Sequence, residues 1–237
     1  MHRGFSVAAV ILIAAGAGVV PAQKVTIDWA MNATIIGACS DPMFCRCCFN
    51  SKPAAHGGHG VGHEGGERFC RFNNAFRVHT GNYGATKLDG AKFWVGGDLG
   101  DDSTAAEMKW AVLSFDPAVT KEQRAGIQTI VGSIYPVKWT KFTVGPDGKI
   151  DWEYTKDRAR ATLNRGKTAE VALVRDSGNT SDSAVISNLK YWGVPRNDGV
   201  VLMTTEVQAW RQGADAFEFK GANGFMITFD IGSMDVR

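Results

Sequence analysis

Apolar residues recur at every second position through much of this chain, and that period commits it to extended strands. Val25, Ile27, Trp29, Met31, Ala33 and Ile35 fall on one side of an extended backbone, and Thr26, Asp28, Asn32 and Thr34 fall on the other. A strand with one buried and one wet face carries that pattern. The same alternation returns in Ile150-Asp-Trp152-Glu-Tyr154 and in Phe225-Met-Ile227-Thr-Phe229-Asp-Ile231. Turn residues separate such runs. Gly145-Pro-Asp-Gly148 precedes the Ile150 run, Asp89-Gly90 divides two short apolar runs, and Asn223-Gly224 parts Phe217 and Phe219 from Phe225, so each predicts an antiparallel hairpin. Trp29, Trp110 and Trp152 sit inside strand patterns and read as core and rim packing, and His79, in the run 72–80, reads as a hydrogen-bonded scaffold residue.

One segment keeps a helical period instead. Thr120-Lys-Glu-Gln123 has the form of a capping box, Ile127, Ile130 and Val131 repeat at helical spacing, and Gly132 can close the end. It follows a buried-looking strand over 109–115. No Gly/Ser/Pro linker divides the chain and no internal repeat appears. The expectation is one mainly β domain over 23–237, α+β at the margin: an antiparallel sandwich or barrel-like sheet with one substantial helix near 120–132.

The first residues set the compartment. His2 and Arg3 precede an almost wholly apolar run from Phe5 to Val20, and Val20-Pro-Ala22 fits the small-residue rule for signal peptidase, so 1–22 reads as a signal peptide cleaved after Ala22. The run falls short of the ~20 residues a spanning helix needs, and the first cysteine lies well past the cleavage point. The chain is therefore expected to be exported, periplasmic or secreted, without stable membrane insertion, in an oxidising compartment where disulfides persist. A formal net charge of +2, with no Lys/Arg cluster interleaved with aromatics, argues against a nucleic-acid partner. There is no Gly-x-Ser-x-Gly elbow, no phosphate loop and no His-Glu-x-x-His pair, so neither an organic cofactor nor a known catalytic constellation is expected. The acidic turn 97–102 lacks calcium-loop spacing and reads as a solvated hairpin end.

All five cysteines, Cys39, Cys45, Cys47, Cys48 and Cys70, crowd into the first third of the chain. They are interleaved with Met43, His56, His59 and His63, the histidines lying in a glycine-rich stretch over 56–66. Three chemistries use thiols at this density. In the first, closely spaced thiolates converge on a soft ion: Cys45, Cys47 and Cys48 are the leading ligands, Cys39, Cys70 or Met43 complete the set, and His56, His59 and His63 capture or hand over the ion. Sulfur ligands favour copper(I), with zinc second. The spacing matches no zinc-finger knuckle. The second is a disulfide-stabilised scaffold or interaction domain without metal. Five thiols cannot all pair, and Cys47 with Cys48 would need a strained ring, since adjacent α-carbons lie ~3.8 Å apart where a relaxed bridge wants roughly 5.5 Å. The third is thiol–disulfide exchange through Cys45-Arg-Cys47, with Arg46 favouring the thiolate.

Several motifs together carry a likeness. Cys39-Ser-x4-Cys45-x-Cys47, Cys70-Arg-Phe-Asn-Asn-Ala75, Leu88-Asp-Gly-Ala-Lys-Phe-Trp94, Phe115-Asp-Pro-Ala-Val-Thr-Lys-Glu-Gln-Arg124 and Asn188-Leu-Lys-Tyr-Trp-Gly-Val-Pro-Arg-Asn-Asp-Gly199 resemble a bacterial family catalogued as domain of unknown function 1326. The likeness covers nearly the whole chain beyond the leader. Members of that family tend to open with a Cys-Ser-Cys…Cys-Pro-Cys arrangement. Here Asp41 stands where a cysteine would be expected, Arg46 replaces the proline and Cys48 is an addition. The resemblance implies relatives and carries no reaction with it.

Overall fold

The computed structural model describes residues 27–49, 51–56, 66–105, 107–178 and 181–236. The expected leader lies outside these residues, as do Val25, Thr26, His59 and His63. The chain forms β1 (Trp29–Cys39), β2 (Ala55–His56), β3 (Glu67–Arg68), β4 (Arg71–Tyr83), β5 (Thr86–Lys87), β6 (Lys92–Asp98), β7 (Glu107–Phe115) and α1 (Lys121–Ile134). It continues with β8 (Lys138–Val144), β9 (Ile150–Tyr154), β10 (Arg158–Leu163), β11 (Ala169–Val174), β12 (Val185–Ile186), β13 (Arg196–Trp210), β14 (Phe217–Phe219) and β15 (Asn223–Gly232). Among the described residues the expected mainly β fold with a single α-helix is present.

Thirteen strands join in one sheet whose main path runs β8-β7-β6-β4-β1-β15-β13-β11-β10-β9, while β2 and β3 form a separate small ribbon. The sheet is mixed. β7 and β8 run parallel because α1 crosses between them, whereas the other neighbours along the path are antiparallel. The helix begins with the capping box read from Thr120 and Gln123. It continues past Gly132, whose missing side chain faces open space, and stops at Tyr135, whose N–H bonds the carbonyl of Val131. Pro136 then prevents a further helical hydrogen bond.

None of the three turn signals makes the hairpin expected of it. Asp89-Gly90 lies between β5 and β6, which continue one register against β4, from Asn82↔Lys87 to Arg77↔Lys92, and the chain reverses earlier, at Gly84. Gly145-Pro-Asp-Gly148 joins β8 to β9, the opposite ends of the strand path, so it makes a crossing between edges and no hairpin. Asn223-Gly224 opens β15 and lies within a ladder. β14 and β15 continue one register against β13, from Gln208↔Phe219 to Thr204↔Asn223, and the chain reverses earlier, over 211–216. Neighbours on both sides hold Gly224 extended: it pairs with Ala38 of β1 and Met203 of β13, and a Cβ there would meet the Leu173 side chain at 2.5 Å.

Alternation along β1 divides two cores. Met31, Ala33, Ile35 and Cys39 join a core that α1 covers with Ile127, Ile130, Val131 and Ile134. Ile36 and Ala38 join the other, with Trp94, Ala159, Ala161, Leu163, Val171 and Leu173. The expected wet face of β1 therefore does not persist along the strand. Thr34 is buried and both faces are covered from Ala33 onward, because β10 and β11 fold back against β1 and β4. Ile27, read as a core position, precedes the strand and is exposed.

The curl is fastened by side chains. Ile150 N donates to Asp116 Oδ2 at 2.9 Å, Lys92 Nζ reaches the Ile150 carbonyl, and Trp152 Nε1 donates to the Ala75 carbonyl at 3.3 Å. His79 is the scaffold residue expected, its Nε2 2.7 Å from Thr34 Oγ1. Asp98, read as solvated, is buried: its carboxylate accepts from Gly100 N at 2.8 Å and faces Arg71 Nε at 3.6 Å.

Candidate metal centre

β1 and β4 are antiparallel neighbours with Cys39 opposite Phe72, so the end of one strand meets the beginning of the other. That register places Cys39, the last residue of β1, beside Cys70, which immediately precedes β4. Ser40 clamps the corner: its N–H donates to the Arg71 carbonyl at 2.9 Å and its Oγ accepts from Arg71 N at 3.1 Å. The intervening loop turns at Phe44, which holds φ +60°, a left-handed conformation uncommon for a bulky residue. A single 3₁₀ turn, Arg46–Phe49, then brings Cys45 and Cys47 back to the strand ends, with Cys48 N bonded to the Cys45 carbonyl.

The Sγ atoms of Cys39, Cys45, Cys47 and Cys70 all lie within 4.8 Å of one another. Cys47 and Cys70 are 3.5 Å apart and Cys45 and Cys70 are 3.8 Å apart. Four sulfurs at ~2.3 Å from a tetrahedral ion would be separated by about 3.8 Å, so the set fits an ion of that size. These separations far exceed the ~2.05 Å of a disulfide, and all five cysteines are free thiols. Successive residues of a 3₁₀ turn project about 120° apart, so Cys47 can face the set while Cys48 stands outside it. Met43 is half-buried and is not part of this group of four.

The thiols divide the charge unequally. Burial raises Cys39, but the thiols of Cys45, Cys47 and Cys70 hydrogen-bond to it and hold it well below the ordinary cysteine range. Cys45 is raised by its bond with Cys39 yet falls to about 6, because Cys47, Cys48 and Cys70 donate to it. The donors move the other way. Cys47 and Cys70 are held well above the usual value, first by their bonds with Cys39, and Cys48 is pushed up to about 12, first by its bond with Cys45. Within the set, negative charge is thus favoured on Cys39 and Cys45 and the protons on Cys47, Cys48 and Cys70. Asn223 Nδ2 adds a donor 3.6 Å from Cys39 Sγ.

Asp41 is a site residue that ligand spacing missed. It is fully buried, with Oδ2 3.6 Å from Cys45 Sγ and accepting from Ala54 N at 3.3 Å. Burial, followed by the charge of Cys45, raises its carboxyl to about 7. Its acidic character inside a cysteine run was the available signal, but Asp-Pro also reads as an ordinary turn. His56 lies one layer out: its Nε2 is 3.5 Å from Asp41 Oδ1 and 3.2 Å from the Phe69 carbonyl, and its ring stacks on Phe69 at 4.1 Å. It does not join the four sulfurs.

A cavity of about 30 Å³ adjoins the thiols, lined also by Asn74, Tyr135, Tyr191 and Trp192. Asn74 Nδ2 donates to Tyr135 Oη at 2.8 Å and to Tyr191 Oη at 3.1 Å, and burial raises both phenols, so both remain protonated. Beyond lies an open cleft of about 590 Å³. Trp192, in the wall between them, holds φ +51°, and the following Gly193 is required because a Cβ there would strike the Ser133 carbonyl at 2.0 Å.

No family profile matches this chain, nor does any curated protein. Among solved structures it is similar to one from structural studies of acetoacetate decarboxylase, at 12% identity over 86% of each chain, with a TM-score of 0.33. It is also similar to the enduracididine biosynthesis enzyme MppR complexed with the condensation product of pyruvate and imidazole 4-carboxaldehyde. That likeness has 9% identity over 87% of this chain and 85% of that one, with a TM-score of 0.33. Neither likeness bears on the chemistry of this chain.

Proposed function

We propose that this chain is an exported metal-binding protein of the family its motifs resemble, and that it holds one soft ion among Cys39, Cys45, Cys47 and Cys70. The observation that carries this reading is the convergence of four sulfurs from three separated stretches of sequence within 4.8 Å. The leader pattern supports export, and an ion would keep neighbouring thiols from oxidising in that compartment.

The number of sulfurs bears on the ion. Soft ligands alone favour copper(I), but four thiolates around a single positive charge leave −3 in a buried site beside Asp41, whereas zinc(II) leaves −2. Uncompensated buried charge is costly, and four sulfurs in a tetrahedral arrangement suit zinc. Zinc(II) is therefore the first ion to test, with copper(I) held by three sulfurs as the second. The ion would cross-link the ends of β1 and β4 to the 3₁₀ turn.

Native and denatured intact mass of protein purified without chelator or reductant tests the reading. The expected result is one ion per native chain with the thiols still reduced. Cys45→Ser combined with Cys47→Ser should abolish stoichiometric binding while far-ultraviolet circular dichroism stays unchanged. Unchanged ion binding in the double variant would overturn the site. Intramolecular disulfides with no adduct would establish the metal-free scaffold instead.

A further inference from the structure

The five thiols differ in what they face. Cys39, Cys45 and Cys70 are buried and line only the small inner cavity. Cys47 and Cys48 are half-buried and line both that cavity and the open cleft of about 590 Å³, together with Tyr191, Trp192 and Phe225. The wall between solvent and the four-sulfur set thus contains two adjacent thiols, one inside the set and one outside it. Cys47 and Cys48 are the thiols in the lining of the cleft, so an ion that enters by it meets this pair before the buried sulfurs. Apolar and aromatic side chains line much of the remaining wall, with Lys190, Ser103 and Thr104 among its polar residues. The cleft falls within the size range of small-molecule sites, which accommodates a low-molecular-weight complex better than a folded donor domain.

We propose that Cys48 is a relay thiol, through which the ion passes between a small thiol-bound complex in the cleft and the four-sulfur set. This deepens the metal-binding reading and rests on it. In loading, the Cys48 sulfur bonds to the ion as one bond from ion to donor thiolate breaks, and the Cys48 proton passes to the leaving thiolate. Cys47 then bonds to the ion as the bond to Cys48 breaks, and Cys48 takes the proton that Cys47 gives up. No electron is transferred and the ion keeps its charge. Cys39, Cys45 and Cys70 then bond to the ion as its remaining bonds to donor thiolates break; a sulfur that carries a proton gives it to the leaving thiolate, and one that is already anionic displaces the donor as the free thiolate. The adjacency of Cys47 and Cys48 explains why a fifth thiol is present beside a complete set of four: it shortens the handover to one residue.

Stopped-flow transfer of zinc from its glutathione complex to the metal-free, reduced chain tests the proposal, with equilibrium stoichiometry measured on the same samples. Cys48→Ser is expected to bind one ion with unchanged affinity and to load at least ten times more slowly. Loading at the wild-type rate overturns the relay and leaves the site standing. Loss of stoichiometric binding in Cys48→Ser also overturns it, by making Cys48 a ligand. A wild-type chain that takes up no zinc and no copper(I) overturns both readings. A second variant keeps the test independent of a replacement hydroxyl: Cys48→Ala should also bind one ion per chain and should release it to a chelator at least ten times more slowly. Release from Cys48→Ala at the wild-type rate would sink the relay.

Discussion

The two cores of this protein are built from alternate residues of the same strand, yet they bury different things. On one face of β1, Ile36 and Ala38 enter a core of aliphatic and aromatic side chains enclosed by the curled sheet. On the other, Cys39 enters a region with five thiols, the Asp41 carboxylate, two phenols and an Asn74 amide oxygen that has no hydrogen-bond partner. The first region gains stability by removing apolar surface from water, at about 25 cal/mol per Å². The second buries polar and ionisable groups side by side, a conflict that a bound cation would relieve. The difference locates function: consistency between pattern and packing marks scaffold, and conflict between them marks a site.

The enclosed core should show the largest effect on truncation. Trp94 is completely buried, and its Nε1 donates to Asn73 Oδ1 at 2.9 Å. Trp94→Ala should cost about 3–5 kcal/mol through lost burial, a residual cavity and an orphaned acceptor. Denaturant unfolding of the metal-free protein measures it. Ion affinity should not change, and a Trp94 variant that folds but loses its ion would show that the two regions are not independent.

The same contrast explains what could be read in advance. The two-residue period, the capping box and the cysteine crowding are local signals, and each produced the element or convergence it implied. Gly145-Pro-Asp-Gly148, Asp89-Gly90 and Asn223-Gly224 failed as hairpins because a turn motif specifies local geometry and not which strands become neighbours. The burial of Thr34 and Asp98 depends on β10 and β11 folding back and on strand ends meeting, which no window of sequence contains. Likewise Cys48 was grouped with Cys45 and Cys47 by proximity in sequence, whereas a 3₁₀ turn separates adjacent side chains in direction. Asp41 stands out in the sequence as a departure from the cysteine pattern, but its burial beside Cys45 depends on how the loop folds.

Removing the ion should have the next largest effect, and it should be confined to one region. At 100-fold excess of free ion over Kd, binding stabilises the folded state by about 2.7 kcal/mol, all of which a chelator removes. Amide hydrogen exchange followed by mass spectrometry would localise the change. The stretches 39–49 and 66–71 should lose protection on ion removal, while β10 and β11, which pack on the enclosed core, should keep theirs. Equal loss in β10 and β11 would break the division between scaffold and site.

The smallest effect concerns Asp41, and pH separates its two roles. Its folded carboxyl is raised from 3.8 to about 7, so the folded state prefers the neutral form. The stability this preference contributes is fully present below pH 3.8 and is lost as pH rises through about 7. Cys45 runs in the opposite sense. Its thiol is lowered from 9.0 to about 6, so its contribution is present above pH 9 and is lost as pH falls through about 6. Asp41→Asn keeps the neutral form at every pH and can still accept from Ala54 N. In the metal-free protein its Tm relative to the wild type should therefore rise steadily between pH 5 and pH 8. The bound ion should flatten that rise, because its charge offsets the carboxylate. A variant destabilised equally at both pH values would assign Asp41 to holding the loop through Ala54, and the charge conflict at the site would then rest on the thiols alone.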